Sequence, residues 1–175
     1  MELINNSPYY NTTSSCSGRV SIFVEKSNLE NGFWLFVSHD PLSENSLSYL
    51  FPDKKVDFVD SCTFEEVRWV YFKFEPFVLH IEANSVESAQ KIFTVAYNCG
   101  YRNSGCIIGK KRSMVAFRST LKLDVPIGYY EDGIVKLIVS SDYLKTLVQI
   151  SNGKFQENIK RMDRLYADLL HFFEK

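Results

Sequence analysis

Residues 66–83 read EVRWVYFKFEPFVLHIEA, and this stretch decides the fold. Two runs, Glu66 to Phe74 and Phe77 to Ala83, are filled with β-branched and aromatic residues, as half-buried strands require. Pro76 has no amide hydrogen for a ladder, so it marks a bend or bulge between them. Glu75 places a carboxylate at that bend, where active-site groups often sit, although an ordinary edge carboxylate fits as well. Alternation along the second run puts Val78 and His80 on one face. A histidine there fits either a satisfied buried position or a proton-handling role.

Working outward toward the N-terminus, Val20 to Glu25 and Phe33 to Ser38 are predicted strands of a hairpin whose turn holds Asn31-Gly32. Residues 9–19, YYNTTSSCSGR, have no apolar period and are predicted to be a loop leading into the first strand. Residues 1–8 fit a helical stub ending at Pro8. Pro41 to Phe51 suits a short helical turn, and Lys54 to Cys62 a surface connection or weak strand.

Toward the C-terminus, Asn84 and Glu87 form a capping pair for a helix through Asn98. Ala89, Ile92, Phe93, Ala96 and Tyr97 recur along it at helical spacing, and Gly100 closes it. Gly105 to Gly109 and Met114 to Thr120 read as a hairpin around Lys110-Lys111-Arg112. Ile134 to Ser140 is a final strand. Asp142 to Phe173 has helical periodicity through Leu144, Leu147, Ile159, Met162, Leu165 and Leu169, with Ser151-Asn152-Gly153 expected to kink or split it. Strict strand–helix alternation is missing, and Gly100, Gly105 and Gly109 do not form a dinucleotide loop. The expectation is a single α+β domain over 1–175, not a Rossmann fold. It has a largely antiparallel or mixed sheet, helices packed on one side and a long C-terminal helix.

Composition narrows the class. The chain has 175 residues, 45% hydrophobic and 15% aromatic, enough for a core built on Phe and Tyr without metal or disulfide support. Its net charge of -1 excludes a global basic signal, so contact with nucleic acid must come from local patches. No apolar run reaches the roughly 20 residues needed to span a bilayer. Met1 to Pro8 lacks the charged and apolar regions of a signal peptide. Cys16, Cys62, Cys99 and Cys106 match no zinc or redox spacing, so reduced thiols in a cytoplasmic protein are expected. No P-loop, nucleophile elbow or zinc-protease motif is present.

Small polar residues lie beside arginine three times, at Ser17-Gly18-Arg19, Arg102-Asn103-Ser104-Gly105 and Arg118-Ser119. Guanidinium groups suit carboxylates and phosphates, and adjacent Ser or Gly lets an anion approach backbone amides. Each also fits an arginine tied to a structural carboxylate. Ser14-Ser15-Cys16-Ser17 fits either a self-capped turn or a loop lining a ligand pocket. Lys110, Lys111 and Arg112, and Lys160, Arg161 and Arg164, fit either phosphate contacts or solvated faces.

The string Tyr10-x-Thr12-Thr13-Ser14-Ser15-Cys16-Ser17-Gly18-Arg19 closely resembles the hallmark loop of the wybutosine-synthesising N4-methyltransferases of archaea and eukaryotes. Ser38-His39, Phe72 through His80, Gly100 through Gly105, Arg118-Ser119 and Asn158 through Arg161 follow in the same order. Family members carry a longer N-terminal helical segment, whereas eight residues precede Tyr9 here. The resemblance implies methyl transfer from S-adenosyl-L-methionine to N4 of a tricyclic guanine derivative, a 7-aminocarboxypropyl-demethylwyosine, at position 37 in the anticodon loop of phenylalanine tRNA.

It implies cofactor contacts from Ser15, Ser17, Gly18, Arg19, Ser38, Arg102, Ser104, Arg118 and Ser119. His80, Glu75 and His39, in that order, are candidates for the base that takes the acceptor's proton. Lys110, Lys111, Arg112, Lys160 and Arg161 are candidate RNA contacts. Tyr10, Trp34, Tyr101 and Phe117 are candidate stacking surfaces, with a core position the commoner use of such residues. Two other readings remain open: a non-catalytic RNA-binding or scaffolding domain, and an enzyme using Cys16 as nucleophile.

Overall fold

The computed structural model describes residues 1–28, 30–43, 48–52, 54–60 and 67–174, and among them are ten strands and three α-helices. Glu66, Cys62 and part of the helical turn expected over 41–51 lie outside the described residues; a 3-10 turn covers Ser48–Leu50. The chain divides into two compact units. The first holds Met1–Gly18, Pro76–Leu121 and Gln156–Lys175; the second holds Arg19–Glu75 and Lys122–Phe155.

The first unit is built on a four-stranded antiparallel sheet. Its spatial order is β1 (Tyr10–Cys16), β6 (Val78–Ala83), β8 (Ser113–Arg118) and β7 (Gly105–Ile108). Alternation along β6 and β8 sends Leu79, Ile81, Ala83, Val115 and Phe117 to one face. There they form a core with Ala89, Ile92 and Ala96 of helix α2 (Val86–Asn98) and with Leu165 and Leu169 of helix α3 (Ser141–Phe173). Helix α1 (Glu2–Asn5) adds Ile4 to that core.

Residues 9–19 were expected to be a loop, yet Tyr10–Cys16 is a strand. Only Tyr10 in it is fully buried, because β1 is an edge strand ordered by its ladder to β6 rather than by an apolar face. The N-cap of α2 is Ser85, whose hydroxyl accepts from the Ser88 amide at 3.0 Å; it is not the expected Asn84. Gly100, at φ +97°, ends the helix: its amide donates to Tyr97 and the Tyr101 amide to Ala96, closing the last turn.

The second unit holds a six-stranded sheet. Its spatial order is β3 (Phe33–Ser38), β2 (Arg19–Val24), β5 (Arg68–Glu75), β9 (Leu123–Glu131), β10 (Ile134–Leu137) and β4 (Lys55–Phe58). Every neighbouring pair is antiparallel except β10 with β4. Val20, Ile22, Val24, Val70, Phe72 and Phe74 are fully buried, and Phe155 of α3 meets the Phe74 ring edge-on at 4.9 Å. Strand β9 escaped the sequence reading because Pro126 and Gly128 look like punctuation. Pro126 sits beside a register shift against β5. A Cβ on Gly128 would fall 2.1 Å from the Lys136 carbonyl oxygen, so the close approach of β10 requires glycine.

The α+β class, the antiparallel and mixed sheets and the long C-terminal helix are as expected. Helix α3 does not break at Ser151-Asn152-Gly153. Ser151 donates back to the Val148 carbonyl, and the Asn152 amide grips both Leu42 N and Leu42 O at 2.8 Å. These polar residues make tertiary contacts instead of ending the helix.

Candidate functional site

The antiparallel register of the first unit's sheet sets Ser14 of β1 opposite His80 of β6 and Cys16 opposite Val78. An irregularity between Thr12 and Ser14 re-aims the following residues, so Ser14 pairs with His80 while Thr12 pairs with buried Ile81. Ser14 Oγ lies 2.9 Å from His80 Nδ1, and Thr13 Oγ1 donates to the His80 carbonyl at 3.3 Å. His80 is half-buried on the face opposite the helices, with Glu82 and Val78 on its own strand. The reading of Val78 and His80 on one face holds, and the residues of that face on β6 are half-buried.

Ser15 near the end of β1 and Ser17 just beyond it are exposed, and Gly18 is buried with φ +112°. The Ser17 carbonyl accepts 2.7 Å from Asn158 Nδ2, and Asn158 Oδ1 accepts from the Phe77 amide at 2.8 Å. Asn158 is 2% exposed, whereas Ile159, expected on the apolar stripe, is 54% exposed. The sequence reading quoted Asn158 within the family resemblance but gave it no role, because an amide among apolar residues looks like surface. Helical spacing from Leu165 and Leu169 points to 158 and 162 as buried positions and was the available signal.

Arg102 occupies an exposed turn after Tyr101. Ser104 Oγ, two residues on, accepts from the Arg118 amide at 3.1 Å and so fixes this turn against the end of β8. Neither Arg102 nor Arg118 has a carboxylate partner among the described residues. By contrast, Ser119 Oγ accepts from Arg161 and from the Leu121 amide, both at 3.1 Å, and Arg161 also pairs with Glu157 at 2.8 Å. Arg161 therefore braces α3 to the end of β8. Lys110, Lys111 and Lys160 are exposed, and Arg112 at the same hairpin tip pairs with Glu82 at 3.0 Å.

The second unit carries the remaining residues. Arg19 Nε donates to Glu75 Oε2 at 2.6 Å, across a register pair of β2 and β5. The Arg19 guanidinium also lies 5.0 Å from the Trp34 ring centre, and Trp34 is half exposed. Ser38 Oγ donates to the Asp40 carbonyl and accepts from the Asp40 amide, the pattern of a local turn. His39 is exposed beside it. Tyr10, Tyr101 and Phe117 are 8%, 1% and 0% exposed, so they belong to the first unit's core and offer no ring to a base; Trp34 alone of the four proposed stacking residues is exposed.

These features define an α+β protein whose smaller unit carries an imidazole, a row of short hydroxyls and two guanidinium groups that meet no carboxylate among the described residues. The family model described as Methyltransferase TYW3 matches residues 1–171. The tRNA wybutosine-synthesizing protein 3 of Saccharomyces cerevisiae is 36% identical over 95% of this chain and 67% of its own length. That of Schizosaccharomyces pombe is 36% identical over 100% of this chain and 75% of its own. The solved structure of the PH1069 protein from Pyrococcus horikoshii superposes with a TM-score of 0.76 at 28% identity, covering 95% of this chain and 78% of that one. The chain belongs to the Methyltransferase TYW3 family.

Proposed function

We propose that this protein transfers a methyl group from S-adenosylmethionine to N4 of a 7-aminocarboxypropyl-demethylwyosine in the anticodon loop of phenylalanine tRNA, in the cytoplasm. The family match over residues 1–171 supports the reaction class. The observation that carries the chemistry is the 2.9 Å contact between Ser14 Oγ and His80 Nδ1.

Bound S-adenosylmethionine supplies an electrophilic methyl on a sulfonium, and the protein has to align, shield and deprotonate. The donor set fits that molecule. Its amino-acid carboxylate needs charge-assisted donors, and Arg102 and Arg118 are guanidinium groups without a carboxylate partner among the described residues, the Arg118 backbone amide being held by Ser104. Ser15 and Ser17 add hydroxyl groups on the same unit. Proton removal falls to His80. When Ser14 Oγ accepts from Nδ1–H, the neutral ring leaves Nε2 as acceptor for the N4 proton. Glu75 is the weaker candidate because it already holds Arg19 at 2.6 Å. The exposed lysines at 110, 111 and 160 suit phosphate contacts.

The test incubates purified protein with isotopically labelled S-adenosylmethionine and tRNA from a strain blocked at this step, followed by nucleoside mass spectrometry. Label in the N4-methylated nucleoside is expected. Label elsewhere, or none with well-folded protein, overturns the reading. No helix of the described residues is long and apolar enough to cross a membrane.

A further inference from the structure

Helix α3 buries an amide where an apolar side chain would cost less to desolvate. Asn158 is 2% exposed, in line along the helix with buried Leu165 and Leu169. Both halves of its amide are used, and each reaches a backbone group flanking a different strand. Phe77, whose amide donates to Oδ1, is the residue immediately before β6. Ser17, whose carbonyl accepts from Nδ2, is the residue immediately after β1. One side chain thus ties the end of the strand bearing Ser14 to the start of the strand bearing His80.

That tie acts where the sheet is least determined. Cys16 with Val78 is the last pair of the β1–β6 ladder, and β1 is an edge strand with an irregularity between Thr12 and Ser14. A bulged edge with few apolar residues specifies its register weakly. Yet Ser14 Oγ has to stay within hydrogen-bond reach of His80 Nδ1 if it is to accept from Nδ1–H, hold the ring and leave Nε2 open.

We propose that Asn158 is a positioning residue for the Ser14–His80 pair, acting through the Ser17 carbonyl and the Phe77 amide. The proposal rests on the reading of His80 as the proton acceptor. Asn158→Asp separates the two arms. The introduced carboxyl still accepts from the Phe77 amide, but when ionised it has no hydrogen for the Ser17 carbonyl, and it regains one on protonation.

The experiment compares wild type and Asn158→Asp in single-turnover methyl transfer across pH, together with nitrogen-15 spectra of the His80 imidazole in protein without tRNA. The expected loss in rate is about 100-fold near pH 8, the scale of a small misplacement of reacting groups. KM for tRNA should be unchanged, and the variant-to-wild-type ratio should recover as pH falls and the new carboxyl takes up its proton. The His80 Nδ1 signal should move from a protonated to an averaged position. A folded variant with a wild-type rate ratio and an unmoved His80 spectrum overturns the proposal, as does a pH-independent rate loss with that spectrum unmoved. If Asn158→Asp does not fold, Asn158→Gln, which carries the same groups one methylene further, is expected to shift the His80 signal; an unshifted signal overturns the proposal. Wild-type protein that transfers no methyl would defeat the reading of His80 as base, while the spectra still decide whether Asn158 positions the pair.

Discussion

Removing Ser14 and His80 singly and together tests whether they work as one device. The 2.9 Å contact joins groups that water also reaches, so its net contribution is about 0.5–1.5 kcal/mol. If Ser14→Ala loses only that bias toward the productive tautomer, the rate of methyl transfer falls about two- to thirteenfold. His80→Ala removes the proton acceptor itself, and the rate falls about 100- to 10,000-fold. The double variant should be no slower than His80→Ala alone, because without an imidazole the hydroxyl has nothing to orient. The assay is single-turnover transfer of labelled methyl at saturating donor, with circular dichroism to confirm each fold. Two results would refute the reasoning. One is a double variant whose loss equals the product of the single losses. The other is His80→Ala turning over at the wild-type rate.

Further expectations follow from other parts of the molecule. Arg102→Ala and Arg118→Ala should each weaken S-adenosylmethionine binding about tenfold or more, read by calorimetry without RNA, because each removes a charge-assisted donor; undiminished heats in both would exclude them from the donor site. Gly128→Ala drives a methyl to 2.1 Å from the Lys136 carbonyl and should cost about 1–3 kcal/mol or more, seen as a lower denaturant midpoint. Tyr101→Phe should leave stability unchanged or raise it, since the buried Tyr101 hydroxyl has no hydrogen-bond partner among the described residues; a marked drop in melting temperature would contradict this.

Burial, helped by Asp168, pushes the Cys99 thiol from 9.0 up to about 12. Its neutral form is favoured in the folded state, so its contribution to stability is complete below about pH 9 and is lost as pH rises toward 12. At pH 8 exposed Cys106 should be alkylated well before Cys99, as peptide mapping can show.

Local pattern carried a large share of the fold. The β-rich runs on either side of Pro76, the hairpin after Val20, helix α2 and the long final helix are each set by neighbours a few residues apart, and such interactions are legible in a linear string. Strand β1 and strand β9 were not legible. The first owes its strand to the ladder with β6; the second tolerates Pro126 at an irregularity and Gly128 under β10. Both facts belong to partners far along the chain.

The same division runs through the site. The sequence alone determined which chemical groups are present: the hydroxyl run at Ser14 to Ser17, the imidazole of His80 and the guanidinium groups of Arg19, Arg102 and Arg118. It also determined the family resemblance that the comparison over residues 1–171 bears out. Only the tertiary structure decided what each group does with its charge. Arg19 is taken up by Glu75 and Arg161 by Glu157 and Ser119, whereas Arg102 and Arg118 meet no carboxylate among the described residues. It also drew Asn158 into the core, between Ser17 and Phe77. Hydrogen bonds and ion pairs fade within a few ångströms, so they depend on which distant segments meet. That meeting is fixed by packing and register and not by residue type.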